Sequence, residues 1–209
     1  MLLLLATLAF PCDDPVFRSL PVPPVPESGK GVVTGDGVLD GRDVVGVRFS
    51  MRSPHPVAVW KRVLDRPETQ DDWMPKSFGY DLVEKLDATH MYLRVNVGLI
   101  WGAVQLKRQL VAYVQQVERP NSYVTCWRMV DHAPFAAQLA PFAHDAQWEN
   151  TSAGWWSATA DGTGSVVGHQ WWATAGKVPR SIMKFGASRT LPDLMDAFEA
   201  RAQVLAAGG

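Results

Sequence analysis

"WWATAGKVPRSIMKFG", residues 171–186, decides the fold. A tryptophan-rich stretch with strand character runs through Gly176 and Pro179 straight into a helical stretch with an apolar face. The helix is expected from about Pro179 to Ala206. Leu191, Leu194, Met195, Phe198, Ala202 and Leu205 form its apolar stripe, and Ile182 and Phe185, three apart, are expected to extend it. Pro192 fits a helix interior poorly, so a kink or a restart is expected there, with Thr190 as a new cap.

Upstream of that helix the pattern is one of long strands. "YDLVEKLD", "THMYLRVNV", "AVQLKRQLVAYVQQV" and "SYVTCWRMVDH" are rich in β-branched and aromatic residues. "ERPNS" joins the last two as a hairpin turn, and "GWWSATADGTGSVVGHQWWAT" reads as a second hairpin turning near Asp161-Gly162. Short turns imply antiparallel pairing. "DVVGVRFSM" (43–51) reads as a first strand, and a helix follows Ser53 with Val57, Trp60 and Leu64 on one face. The Gly-rich "GVVTGDGVLDG" (31–41) reads as turns between short extended pieces. Residues 134–146 are either a loop over the sheet or a short helix. The expected class is α+β, with helices on one face of one curved antiparallel sheet.

Composition narrows the partners. A formal net charge of -1 and no basic cluster longer than Lys107-Arg108 argue against nucleic acid. Nine Trp in 209 residues imply either an aromatic core or a lined pocket. The two cysteines make no disulfide framework, and the five scattered histidines make no metal-ligand spacing, so no metal and no cofactor is expected. No nucleophile elbow and no local Cys/His signature is present.

"MLLLLATLAF" (1–10) is too short to span a bilayer and resembles the apolar part of an export leader. Export to a periplasmic or extracellular space is expected, with residues 1–14 as the leader. Lipid attachment at Cys12, giving a membrane tether, and a cytoplasmic chain are the alternatives. Residues 15–30 hold five prolines and read as a spacer, and the domain is expected over 31–209.

The run "GKVPRSIMKFGASRTLPDLMDAF" resembles the end of START domains, lipid-transfer modules of the helix-grip (Bet v 1-like/SRPBCC) superfamily. The matching positions are Gly176, Pro179, Arg180, Ser181 and Ile182. "AVQLKRQLVAYVQ" resembles an Arg-Asp-Phe strand of that family, with Arg108-Gln109-Leu110 in its place. "VWKRVLDRPETQDDWMP" resembles its first helix and the Trp after it, Trp73. The resemblance covers about residues 30–206 and implies a curved sheet wrapped on a C-terminal helix, with an apolar tunnel between them. It implies a lipid or other hydrophobic small molecule as ligand and a transient membrane contact. Sterol-binding relatives place a carboxylate and an arginine in the tunnel. "HMYLRVNV" has no acidic residue, and the strand that carries the family's arginine reads "QLVAYVQQ" here, so a cation would have to come from Arg94 or Arg128 on another strand.

Strand alternation sorts the second hairpin. Turning at Gly162-Thr163 sets Trp156 opposite His169, and Trp156, Ala158, Val167, His169, Trp171 and Ala173 share one face, expected to look at the helix. Trp101, Trp127, Trp156 and Trp171 are the expected tunnel walls. Phe185, Leu194, Met195 and Phe198 are the expected lid face, with a hinge near Gly186 and Pro192. Arg128 and His169 are the candidate polar anchors, although a buried His is more often a satisfied core residue and an Arg beside Tyr113 a surface one. A cyclase or hydratase acting on a hydrophobic substrate in the same cavity is the alternative function, with His169 as its candidate base.

Overall fold

The computed structural model describes residues 12, 17, 25–26, 29–74, 78–101, 104–142, 147–148, 151–176 and 178–208. The strands are β1 (Lys30–Leu39), β2 (Arg42–Ser53), β3 (Phe78–Lys85), β4 (His90–Trp101), β5 (Val104–Arg119), β6 (Ser122–Val130), β7 (Gln147–Trp148), β8 (Ser152–Asp161) and β9 (Gly164–Ala173). The helices are α1 (Val57–Leu64), α2 (Ala136–Leu139) and α3 (Arg180–Ala206). One sheet runs in the order β1-β2-β9-β8-β6-β5-β4-β3, antiparallel throughout, with the two-residue β7 added parallel to β5. Both hairpins take the expected registers: Arg119 pairs with Ser122, and Trp156 pairs with His169.

The apolar stripe of α3 packs on this sheet. Met183, Ala187, Leu191, Leu194, Met195, Phe198, Ala202 and Leu205 are buried, and the main partners of α3 are α1, β2 and β1. Ser53, at the end of β2, knits the three elements. Its Oγ accepts from Trp60 Nε1 (3.1 Å) on α1 and donates to Glu199 Oε1 (3.1 Å) on α3. Charged pairs fasten the β1–β2 hairpin to the rest of α3: Lys30 with Asp196, Asp36 with Lys184, and Asp43 with Arg180.

Three expectations need correction. First, residues 31–39 are a full strand, not turns. The glycines serve packing, because a Cβ on Gly37 or Gly46 would lie 2.7 or 2.5 Å from the Trp172 ring, which is fully buried against both. Second, α3 runs unbroken through Pro192, and Thr190 is no cap: its Oγ1 donates back to the Gly186 carbonyl (3.0 Å), as a hydroxyl inside a helix does. Third, helices do not all lie on one face. α2 packs Phe135 and Leu139 on Val111, on the side of the sheet opposite α3.

That opposite face also carries a disulfide, Cys12–Cys126. The partners are 114 residues apart, so nothing local in the sequence marks them as a pair. Phe17 is buried nearby among Leu39, Val44, Ala153 and Trp172. Of the leader only Cys12, and of the proline-rich spacer only residues 17, 25–26 and 29–30, are among the described residues.

Candidate functional site

Alternation along each strand divides the residues between the face under α3 and the face away from it. The face under α3 has two halves of different character.

In the first half, β2, β9 and β8 meet α3 through stacked rings. Phe198 from α3 stacks on Trp156 (centroids 4.3 Å), Trp156 on His169 (3.9 Å), and His169 on Trp127 (5.5 Å). Trp73 closes the other side of Phe198 edge-on at 4.8 Å. The register makes this column, since Trp156 and His169 are direct cross-strand partners and Trp127 pairs with Gly154. Gly154 must be small: a Cβ there would fall 2.1 Å from the Trp127 ring and 2.6 Å from the Gln170 carbonyl.

His169 is locked inside the column. Its Nδ1–H donates to the Trp155 carbonyl (2.9 Å), which leaves Nε2 as an acceptor. Burial pushes its pKa down to about 3, against a weaker opposing effect of that hydrogen bond. The ring is therefore neutral at ordinary pH.

The second half is an apolar bed on β4, β5 and β6. Met91, Leu93, Val95, Leu110, Ala112, Val114 and Met129 form one buried cluster, flanked by Tyr80 and Trp127. Among the described residues no α3 side chain belongs to it. Trp127 alone of the tryptophans with described side chains borders both halves. In the sequence the bed shows as strict alternation in "HMYLRVNV", whereas "QLVAYV" is apolar on both faces, with Val111 buried opposite the bed.

The expected site residues divide accordingly. Trp127, Trp156 and His169 lie under α3, and Leu194, Met195 and Phe198 are on its buried side. Trp171 is there too, half-buried, with Nε1 donating to Ser152 Oγ (3.0 Å). Trp101 ends β4, and its side chain lies outside the described residues. Two expectations are overturned. Arg128 follows Trp127 in β6, so it points to the opposite face, where it pairs with Asp40. Phe185 is 61% exposed, because Met183, Gly186 and Ala187 carry the buried side of that turn and leave Ile182 and Phe185 facing solvent. Arg94 is likewise on the far face, paired with Asp81 and Gln109. No cation therefore reaches the interior from either arginine that the sequence offered.

Solved structures with this architecture include STAR-related lipid transfer proteins. A STAR-related lipid transfer protein from Xanthomonas axonopodis superposes with a TM-score of 0.61 at 15% identity, over 86% of this chain and 98% of that one. Human StAR-related lipid transfer protein 5 gives 0.70 at 9% identity, over 91% of each chain. A START superfamily protein from Mycobacterium smegmatis gives 0.50 at 16% identity, over 77% of this chain and 98% of that one. No protein-family model matches the sequence, and no curated protein matches it either. At such identities the likeness is one of fold: this chain has a START-like helix-grip fold.

Proposed function

We propose that this protein binds a lipid or similar hydrophobic small molecule between the sheet and α3. The observation that carries the reading is the apolar bed on β4–β6, which no described α3 side chain fills, beside a packed column that supports the rest of the helix. The fold, shared with lipid-transfer proteins, agrees with it. Ligands of this kind need cavities of about 300–1,000 Å³. About 27 heavy atoms at about -0.3 kcal/mol each give about -8 kcal/mol, hence micromolar affinity. That is tight enough to hold a lipid in water and loose enough to release it. Tyr80 flanks the bed directly, and His169 lies behind Trp127, where a neutral imidazole can accept one hydrogen bond from a ligand hydroxyl at Nε2.

Ala112 lies in the middle of the bed, between Leu93 and Met129 in the register. In a bed that receives ligand, Ala112→Phe takes ligand space: uptake of a fluorescent fatty-acid probe falls at least tenfold, with little change in thermal stability. In a filled core the same substitution overpacks it, costing about 1–3 kcal/mol. A large drop in melting temperature with no probe uptake by the wild type would therefore contradict the proposal.

Transfer also requires contact with a membrane. Ile182 and Phe185 are 46% and 61% exposed at the start of α3, and Arg189 lies over the Phe185 ring at 5.4 Å. Exposed apolar groups beside a cation suit the headgroup boundary of an anionic bilayer. The double substitution Ile182→Ser with Phe185→Ser is expected to abolish co-sedimentation with phosphatidylglycerol vesicles while leaving probe uptake intact; unchanged sedimentation would remove this surface from the account. Nucleic acid has no part in this reading, given the net charge of -1.

The cyclase or hydratase reading weakens on His169. A general base works best with a pKa near the operating pH, and this ring is held near 3 between two tryptophans. We place the protein in an exported, oxidising setting, which the Cys12–Cys126 disulfide favours.

A further inference from the structure

One carboxyl is half-buried where α1, β2 and α3 meet. Glu199 follows the fully buried Phe198 on α3, and its Oε1 accepts from Ser53 Oγ at 3.1 Å. Its Oε2 is buried, and among the described residues no donor meets it. Ser53 is fully committed. Its Oγ also accepts from Trp60 Nε1 (3.1 Å) and from the His55 backbone N–H (3.2 Å), which uses its one hydrogen and both lone pairs. The short run "SPHP", residues 53–56, arranges this corner. Pro56 is the N-cap of α1, Ser165 Oγ donates to the His55 carbonyl, and the His55 ring sits with Nε2 3.5 Å from Glu199 Oε1. A protonated His55 pairs with the carboxylate at that distance, and a neutral one does not. Two more charges act on Glu199: Lys30 on β1 and Asp196, one turn earlier on α3, which pair with each other.

We propose that Ser53, His55 and Glu199 form a proton-operated clasp, which holds α3 to the β2–α1 corner while Glu199 or His55 carries a proton and slackens as pH rises and the last proton leaves. With that proton gone, a carboxylate oxygen is left buried with neither a hydrogen nor an imidazolium to meet it. A neutral acid costs less in that place than a charged one. Burial pushes the Glu199 carboxyl above its ordinary value of 4.5, with Asp196 adding to the rise and the Ser53 hydrogen bond, His55 and Lys30 opposing it. Burial outweighs the hydrogen bond, so the charged side chain gains by swinging toward solvent and away from Ser53. The sign follows. The folded chain keeps a proton that the unfolded chain has already released, so this stabilisation is complete below the ordinary value and is lost as pH rises through the folded one. None of this depends on the ligand reading above.

The test uses the full chain with no ligand added. NMR follows the Glu199 carboxyl carbon and the Trp60 indole N–H from about pH 4 to about pH 8. The carboxyl should titrate above 4.5. His55→Ala, which removes the imidazolium, should move its midpoint up, and Asp196→Asn should move it down. Solvent exchange of the Trp60 indole, measured against Glu199→Gln at the same pH, should rise several-fold as the carboxyl loses its proton. The Trp172 indole, bonded to Gln170 on the other face of the sheet, should show no such difference. A carboxyl that titrates at or below 4.5 would overturn the clasp. Trp60 exchange that stays in step with Glu199→Gln at every pH would overturn it too, because Ser53 and Glu199 would then be a fixed structural contact. If Glu199→Gln does not fold, the wild type decides alone: a Trp60 indole shift that shares the carboxyl midpoint supports the clasp, and one that ignores it sinks the proposal.

Discussion

Phe198→Ala is expected to lower unfolding stability by about 3–5 kcal/mol, which for a chain of this size is a fall in melting temperature of about 10 °C. Phe198 is completely buried, stacked on Trp156 and met edge-on by Trp73. Removing the ring forfeits both aromatic contacts and leaves a cavity between α3 and β8 that rigid strands cannot close. Phe185→Ala is the internal control. It removes an equal ring from the same helix, but one that is 61% exposed, so the change should stay within about 0.5 kcal/mol. Thermal or urea unfolding of the two variants measures the difference. Equal effects would mean that α3 is rotated about its axis from the orientation described.

Acid should unfold the protein through His169. Its folded pKa, near 3, lies below the ordinary value of 6.5. Between those values the unfolded chain binds a proton that the folded chain refuses, so stability rises with pH across that window. The contribution is complete above about pH 6.5 and is lost as pH falls toward 3, at up to about 1.4 kcal/mol per pH unit. Replacement by Phe, which keeps a flat ring between Trp156 and Trp127, should remove that slope. Urea midpoints from pH 7 to pH 4 for wild type and His169→Phe give the answer. Parallel curves would show that His169 takes up its proton over the same pH range folded and unfolded, and the column would then have to admit solvent or a counter-charge to the ring.

The parts of this architecture that were legible in the sequence were those with a local physical signal. The hairpin turn at Gly162-Thr163 sets the Trp156–His169 register, and alternation then determines which side of β9 each residue takes. The stripe from Leu191 to Leu205 likewise reads directly as a buried face. What was misread depends on distant partners. Glycine-rich β1 looks like turns until Trp172, some 130 residues later, is seen to need the space over Gly37 and Gly46. Phe185 extends a helical stripe on paper at a spacing of three, but the helix phase is set by Phe198 and Met195 further along, and that phase turns Phe185 outward. Trp127 and Arg128 could not be assigned to inside or outside from an apolar strand alone, and Gly154 decides it by admitting the Trp127 ring. Cys12 and Cys126 carry no local signal at all.

In the candidate site the ring column was visible as residues but not as a column, because stacking joins α3, β8, β9 and β6 across the chain. The apolar bed shows in the sequence as alternation along β4 but carries no charge that marks it as a site. A binding site for an apolar ligand has few polar landmarks by its nature, so it is found by asking which buried face lacks a partner.

Native mass spectrometry of the purified full chain, with its organic extract analysed alongside, tests the ligand reading most directly. The account predicts a bound mass of a few hundred daltons that leaves on extraction and is lost in Ala112→Phe. A bare protein mass, with no fatty-acid probe taken up afterwards by the wild type, would contradict it and make the bed on β4–β6 an ordinary filled core.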